Sequence, residues 1–444
     1  MRRRIVFPAD LLKSPNMSFP SSRDRKLYLT ALCVILAIGA FLRLPPVAFL
    51  GPNAPLRSLA SIHPTAQWAA QDRMGMDEGL YRDYLNQVIG AGLSSYPEIV
   101  QYYVEVQRPL TGSILPPMRF LYIFAAYIWH SVFGTDAFTA LKCVSSFFGL
   151  LTLVLSTVFA WRMKGPAFAL GIAALIGVAP IQIHMSQHAL VDGFFTFWAL
   201  LSLWALWENL RAPRNWFWLA TYIFALCCMV LTKENAFFAF VGIVAIIVLN
   251  RWLHIGTVTR ELLLATLLGP FLGVVILVVL VGGIDVLFAA YQLSVSKNYE
   301  LPFAIATGDG PWYRYLLDIL TVSPVVLILA FGGLFRLDAA KKPEIFCVVF
   351  IAASYLVMCN IKYGMNLRYT NMWDMPLRFL AFSQISVLAA SLNRYRTLVL
   401  CAVVGLICVI ELRQYIILFV QFPLYELIPQ LLLRALHIIK TASP

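Results

Sequence analysis

Two adjacent carboxylates, Asp77 and Glu78, are the residues of this sequence best suited to acid–base chemistry. They lead a run, residues 78–89, in which apolar side chains recur at helical spacing. One interpretation is structural, because acidic residues stabilise the first turn of a helix through its dipole. The other is catalytic, because a carboxylate beside apolar groups at a bilayer surface gains proton affinity and can act as a base. The pair alone does not choose between these interpretations.

The composition places this pair in a membrane protein. The 444-residue chain is 60% hydrophobic and only 13% charged, whereas soluble domains carry about 25% charged residues. Apolar runs long enough to cross a bilayer recur along the chain, which predicts an all-α polytopic membrane protein with about 11 transmembrane helices. The predicted spans are residues 27–45, 137–161, 166–180, 190–207, 216–232, 235–250, 261–283, 313–335, 344–360, 374–391 and 396–412.

The net charge of +12 is explained by membrane topology rather than by nucleic-acid binding. Lys and Arg concentrate in alternate loops, such as 161–166 and 336–343. By the positive-inside rule these loops and the N-terminus are cytoplasmic. Residues 117–133 are apolar but must lie flat as a juxtamembrane helix, because a span there would invert every later loop. Asp77 then faces outward, with most of the other unusual polar residues.

The chain divides into three predicted regions. Residues 1–26 form a basic cytoplasmic tail, residues 27–412 a transmembrane domain, and residues 413–444 an interfacial or additional membrane segment. Within the domain, residues 46–136 are predicted to be an outer catalytic loop with juxtamembrane helices, because this loop holds Asp77 and Glu78 and its length is rare for a passive connector. Residues 284–312 are predicted to be an outer substrate loop.

Several basic residues are candidates for binding a phosphate. Arg368 is the first, because a guanidinium binds phosphate through a planar fork. Lys142 lies in an apolar stretch, so it must pair or reach the interface; snorkelling is the alternative. Lys233 could bind an anion or simply pair with Glu234. Arg108, in the first outer loop, is the fourth candidate.

A weaker pattern joins His184, His188 and Asp192. Their spacing of four residues would place them on one helical face, as metal ligands often are. Pro180 leaves the helix limits open, and hydrogen bonding at a helix entrance explains the same residues. Asp192 also favours a helix N-terminus without any function.

Aromatic and polar residues in the outward segments suit a sugar or a lipid headgroup. Interfacial Tyr and Trp are also common membrane anchors, which is the alternative. The candidate substrate contacts are Tyr81, Asp192, Lys297, Tyr299 and Tyr369. No phosphate-binding lysine loop, dinucleotide fingerprint or metalloprotease helix is present in the sequence, which argues against an ATP-driven mechanism.

An ordered set of motifs on one topological side resembles the GT-C superfamily of membrane glycosyltransferases. Within it, the resemblance is strongest to the protein O-mannosyltransferase and lipid A aminoarabinose transferase group, and it covers nearly the whole chain. The motifs are Asp77-Glu78-Gly79-Leu80-Tyr81, Pro116-Pro117, Leu231-Thr232-Lys233-Glu234, Pro311-Trp312-Tyr313-Arg314 and Arg368-Tyr369. Lys142 departs from the Arg that the family often has. The short segment 419–444 argues against an oligosaccharyltransferase-like member.

The resemblance implies a GT-C fold and a polyprenyl-phosphate sugar as donor. Asp77 would be the base that accepts the acceptor's hydroxyl proton, and Glu78 would orient it. Arg368, Lys142 and Lys233 would stabilise the leaving phosphate. No cofactor is expected; a divalent metal is possible, but the residues do not support one.

The acceptor would be a lipid, glycan or protein, and the partners include membrane lipids but no nucleic acid. We expect a bacterial plasma (inner) membrane, with the site on the extracytoplasmic face. The alternatives are a polymerase or ligase of lipid-linked glycans and a transporter or flippase for a lipid-linked sugar.

Overall fold

The computed structural model describes residues 22–50, 56–65, 74–112, 114–361, 364–422 and 427–436. All regular elements in these ranges are helical, so the predicted all-α class is confirmed. The α-helices are α1 (Ser22–Leu42), α2 (Pro46–Leu50), α3 (Met76–Ala91), α4 (Tyr96–Gln107), α5 (Phe120–Phe133), α6 (Ala137–Lys164), α7 (Pro166–Gly177), α8 (Pro180–Gln187), α9 (Val191–Arg211), α10 (Trp216–Thr232), α11 (Ala236–Leu253), α12 (Arg260–Leu280), α13 (Ile284–Asn298), α14 (Pro302–Thr307), α15 (Arg314–Val322), α16 (Pro324–Leu334), α17 (Lys342–Met358), α18 (Asp374–Ala390), α19 (Arg396–Tyr415) and α20 (Ile428–Ala435).

Helices occupy all of the predicted spans, with one break. The span predicted at 313–335 is divided into α15 and α16 at Ser323 and Pro324. Proline lacks the backbone N–H that a continuous helix needs, and it disfavours helical dihedrals in the residue before it. Ser323 accordingly has φ −137° and ψ 60°.

Length and apolar composition mark five described helices as able to cross a membrane, or six if the bent pair α7 and α8 is one span. The pair bends by 59°. The five are Arg25–Leu42, Ala137–Lys164, Ala236–Leu253, Arg260–Leu280 and Arg396–Gln421. Other predicted spans are shorter or, like α9, carry charged residues. The count of eleven therefore stays a prediction.

Two predicted boundaries fall inside helices. α1 begins at Ser22, within the predicted tail, whose residues 1–21 lie outside the described ranges. α19 continues as a π-helical turn, Ile416–Gln421, past the predicted boundary at residue 412. At 14 residues, α5 is about 21 Å long. This is shorter than a hydrocarbon core of about 30 Å and fits a helix lying along the surface.

α6 is the helix around which the site-bearing elements pack, since α1, α5, α7, α8 and α9 all contact it. Its N-terminus is capped by Asp136, whose carboxylate accepts the N–H groups of Phe138 and Thr139 at 3.0 Å. Midway along α6, a side chain at Gly149 would overlap Ser186 of α8. This glycine lets α8 lie directly against α6 and brings the end of α8 towards the first loop.

Candidate active site

Glu78 anchors the start of α3. Gly75 is the N-cap residue, and its N–H donates to Glu78 Oε2 at 2.8 Å, as in a capping box. The other carboxylate oxygen, Oε1, accepts the N–H of Ala189 at 2.8 Å and lies 3.4 Å from His188 Nδ1. Glu78 therefore ties the first loop to the chain just before α9.

These contacts decide the charge of Glu78. Burial raises the pKa of this carboxyl. His188 and the N–H groups of Gly75 and Ala189 lower the pKa by more than burial raises it, so that it lies at about 2. Only 3% of Glu78 is exposed, and both oxygens have partners. The arrangement suits the predicted orienting role better than proton transfer.

Asp77, the neighbouring residue, instead faces Arg368. Its Oδ2 lies 2.8 Å from Arg368 Nη1, and 31% of the Asp77 side chain and 16% of the Arg368 side chain are exposed. Burial raises the pKa of Asp77, but the guanidinium groups of Arg368 and Arg119 outweigh it, so that the pKa lies below the usual value. Asp77 is thus an ionised, partly exposed carboxylate, as a base must be at neutral pH, but its proton affinity is lowered and not raised as the sequence suggested.

A short 3₁₀ helix, Leu367–Trp373, positions Arg368. Asn366 caps it, since Asn366 Oδ1 accepts the Arg368 N–H at 2.9 Å. At the other end, the fully buried Trp373 donates from Nε1 to Ser354 Oγ of α17 at 2.7 Å. The backbone beneath Arg368 is therefore held at both ends of the turn.

A second ion pair lies behind the first. Lys233 Nζ binds Asp192 Oδ1, and both side chains are at most 5% exposed. Lys233 Nζ also lies 4.4 Å from the ring centroid of Tyr369, the residue after Arg368. Burial lowers the pKa of Lys233, and the Asp192 charge opposes that shift. The pair joins the first turn of α9 to the end of α10.

A third ion pair completes the group. Arg119, just before α5, donates from Nε to Glu234 Oε2 at 3.3 Å and from Nη2 to Oε1. Its Nη1 also binds the hydroxyl of Tyr81, one turn after Asp77 in α3. Glu234, which follows Lys233, is 40% exposed. We call the pairs Asp77–Arg368, Asp192–Lys233 and Glu234–Arg119 the outer cluster.

The outer cluster unites most of the predicted site. Asp77, Arg368, Lys233, Asp192, Tyr81 and Tyr369 belong to it or touch it, and Glu78 lies beside it. Residues up to 291 positions apart in sequence meet here. Their convergence at one end of the bundle is the arrangement expected from the alternating charges of the loops.

The remaining candidates lie elsewhere. Lys142 is buried in α6, with Nζ 4.5 Å from the Phe138 ring centroid. Arg108 is exposed at the end of α4. Lys297, in the last turn of α13, lies 3.2 Å from Glu300 and near the half-exposed Tyr299. Their predicted contacts with substrate stay predictions.

The single helical face predicted for His184, His188 and Asp192 is wrong. α8 ends at Gln187, and His188 has an extended conformation with φ −108° and ψ 156°. The spacing of four residues therefore does not follow a helix. Asp192 is paired with Lys233, and the two imidazole rings lie against each other with centroids 4.3 Å apart. Across the described ranges, no group of three His, Cys, Asp or Glu side chains is arranged to hold a metal ion.

Arg119 and Glu234 are the site residues that the sequence analysis did not select. Arg119 is one of several arginines in the first loop, and its spacing does not distinguish it from Arg108. The usable signal was its position directly before an apolar helix. A guanidinium buried there needs a carboxylate partner. Glu234, which the sequence suggested only as a partner of Lys233, lies at the same end of the bundle and pairs with Arg119 instead.

An apolar recess opens beside the cluster. It has a volume of about 220 Å³ and lies between the end of α10, the start of α11, and α12 and α13. Lys233 and Glu234 line its charged side. The other lining residues are Met229, Val230, Ala236, Phe237, Phe240, Pro270 and Tyr291. The recess therefore joins an apolar surface to a group of charges.

Comparison with known proteins agrees with this architecture. The family model of dolichyl-phosphate-mannose-protein mannosyltransferases matches residues 94–298. The apo crystal structure of the Archaeoglobus fulgidus oligosaccharyltransferase is 13% identical and aligns over 96% of this chain and 57% of its own, with TM-score 0.53. The same enzyme with an inhibitory peptide and a dolichol-phosphate gives 12% identity over 92% and 56%, with TM-score 0.53.

Apo ArnT from Cupriavidus metallidurans is 15% identical over 83% of this chain and 64% of its own, with TM-score 0.49. No curated protein matches the chain. The chain thus spans less than two thirds of the length of these structures. The likeness to the oligosaccharyltransferase shows the fold, and the match to the mannosyltransferase family model agrees with the predicted resemblance.

Proposed function

We propose that this chain, which has the fold of the GT-C membrane glycosyltransferases, transfers one sugar from a polyprenyl-phosphate carrier to an acceptor hydroxyl. The observation that carries the proposal is the Asp77–Arg368 pair, in which a carboxylate and a guanidinium lie 2.8 Å apart and are both partly exposed. One group accepts a proton and the other stabilises a phosphate, and this reaction needs both at one place.

The chemistry divides between these two residues. Asp77 takes the proton of the acceptor hydroxyl as its oxygen attacks the anomeric carbon. The bond from that carbon to the phosphate oxygen breaks, and the polyprenyl phosphate leaves with the electron pair. Arg368 stabilises the charge that grows on this phosphate, with Lys233 behind it. Lys142 and Arg108 are further candidates for phosphate contact, and Glu78 orients the base.

The apolar recess supports a lipid-linked donor. Its lining includes Phe237, Phe240 and Pro270, which suit an isoprenoid chain, and Lys233 lies at its charged side. A lipid held there would present its phosphate close to the cations of the outer cluster. The similar oligosaccharyltransferase has been solved with a dolichol-phosphate, a carrier of the same chemical class.

The acceptor is a lipid, glycan or protein, contacted by Tyr81, Tyr369, Lys297 and Tyr299. The charge distribution of the loops supports a cytoplasmic N-terminus and an extracytoplasmic site. In a bacterium this would be the plasma membrane, with the donor held in the outer leaflet.

A labelled donor tests the proposal and separates it from the alternatives. The purified protein is placed in vesicles with radiolabelled polyprenyl-phosphate sugars and candidate acceptors. A transferase moves the label from the lipid to an acceptor. Label that crosses the bilayer while still on its lipid would contradict the proposal and support a flippase. Label that accumulates on a lipid-linked glycan would instead support a polymerase.

A further inference from the structure

All three cations of the outer cluster are paired with carboxylates: Arg368 with Asp77, Lys233 with Asp192 and Arg119 with Glu234. A donor phosphate that arrives must therefore share a cation with a carboxylate or displace it. The proposed base is one of these carboxylates. The base and the leaving group would thus both bind the same guanidinium, that of Arg368.

We propose that Asp77 and the donor phosphate compete for Arg368, so that donor binding releases the base and precedes acceptor binding. This inference rests on the proposed function and adds an order to it. Before the donor arrives, the ion pair keeps Asp77 occupied. Afterwards, the carboxylate turns to the acceptor hydroxyl.

Exposure singles out this pair for exchange. Lys233 and Asp192 are 2% and 5% exposed, so separating this pair would require a larger opening of the protein. Arg119 is 6% exposed, and Glu234 and Tyr81 hold its fork. In the Asp77–Arg368 pair both members are partly exposed, at 31% and 16%. Exchange at Arg368 therefore requires the least rearrangement.

The geometry of Arg368 makes sharing unfavourable. Its Nη1 points at Asp77 Oδ2 at 2.8 Å, and its Nε faces Asn366 Oδ1 at 3.4 Å. A phosphate that binds the fork with two oxygens needs more than one of its nitrogens. Two anions on one guanidinium also repel each other. The phosphate, with the larger negative charge, is expected to displace the carboxylate.

Release from Arg368 raises the proton affinity of Asp77. The charged groups that face it are Arg368 from the 3₁₀ helix, Arg119 from the start of α5 and Asp192 from α9. Burial and Asp192 raise the pKa of Asp77, whereas the two arginines lower it. Once the phosphate neutralises Arg368, the pKa of Asp77 rises. Asp77 then becomes a stronger base at the moment when the leaving group is in place.

The test measures lipid binding without sugar transfer. Undecaprenyl phosphate is titrated into the detergent-solubilised protein, and its Kd is measured for wild type, Asp77→Asn and Asp83→Asn. If Asp77 competes for Arg368, Asp77→Asn should bind about three- to fivefold more tightly, as expected for loss of a partly exposed competing ion pair. Asp83→Asn is the matched control, because it removes the same charge from the exposed Arg82–Asp83 pair of α3.

The outcomes separate this inference from the proposed function. Equal Kd values for wild type and Asp77→Asn would overturn the competition and leave the proposed donor class standing. Equal tightening by Asp83→Asn would overturn it too, because the effect would then be general electrostatics. No binding by any of the three proteins would contradict the proposed function, and the competition with it. If Asp77→Asn does not fold, Asp77→Ser makes the same comparison.

Discussion

The outer cluster and the charged network around Arg378 differ in how far they are open to solvent. In the Arg378 network, Arg378 of α18 pairs with Asp374 and with Glu411 of α19, and it donates to Leu175 O of α7 at 3.1 Å. Arg378 and Glu411 are 1% and 0% exposed. The outer cluster instead leaves Asp77 and Glu234 partly open. Closed pairs hold helices together, whereas an open side is what a substrate needs.

The Arg378 network depends on a single cation. Arg378 pairs with two carboxylates, and one oxygen of each is buried without a hydrogen-bond partner in the part of the chain that the structure describes. These oxygens are Glu411 Oε1 and Asp374 Oδ2. Ser323, at the break between α15 and α16, donates to the other Glu411 oxygen at 2.9 Å. The network therefore joins four parts of the bundle through one guanidinium.

The largest effect on stability is expected at Arg378. Arg378→Met should lower the free energy of unfolding by about 3–5 kcal/mol, because it leaves two buried carboxylates without their cation. Denaturant unfolding in detergent, followed by Trp fluorescence, measures the change.

Arg368→Met is the matched control in the outer cluster. It removes the same kind of side chain from a partly exposed pair, so the loss of stability should be below about 1 kcal/mol. If Arg368→Met costs as much stability as Arg378→Met, the contrast between an open and a closed network is wrong.

A smaller effect, on turnover, is expected at Arg119. Its fork contacts Glu234 and Tyr81 together, and a lysine ammonium cannot span both. Arg119→Lys should lower kcat about tenfold, with little change in KM for the donor, because Tyr81 lies one turn from Asp77 and fixes its position.

Steady-state kinetics on folded protein measure the two constants separately, with Arg82→Lys as a control at an exposed position of α3. A rise in KM without a fall in kcat would show that Arg119 binds substrate and does not position the base.

The smallest expected change concerns pH. Arg368 lowers the pKa of Asp77, whereas burial and Asp192 raise it. Arg368→Gln should therefore raise this pKa, so that the base becomes protonated at a higher pH. The acid limb of kcat/KM, which reports the free enzyme, should move to higher pH. Each profile is scaled to its own plateau, because this variant also weakens donor binding. An acid limb at the same pH as in wild type would rule out Arg368 as the group that controls Asp77.

The sequence was sufficient for features that depend on local pattern and on counting. Apolar runs located the helices, and the alternating charge of the loops brought Asp77, Lys233 and Arg368 to one end. The length of the apolar run 313–335 did not reveal the break between α15 and α16, because the residues on both sides of it are apolar. Pro324 was the one sign of this break in the sequence.

The partners within the site depend on tertiary packing, which local pattern does not contain. Glu78 binds Ala189, 111 positions away, through a backbone N–H that any residue could supply. Arg119 belongs to the outer cluster and Arg108 does not, because Arg119 lies where α5 meets the turn between α10 and α11. His184, His188 and Asp192 do not share a helical face because α8 ends at Gln187, and propensity does not locate a helix end to within one residue.

Turnover of Asp77→Asn tests the central claim most directly. The variant keeps the size of the side chain but cannot accept the acceptor's proton. Per folded molecule, transfer from a radiolabelled polyprenyl-phosphate sugar should fall by about 10²- to 10⁴-fold, while undecaprenyl phosphate still binds and Asp83→Asn transfers like wild type. Turnover of Asp77→Asn within about threefold of wild type would contradict the assignment of Asp77 as the base.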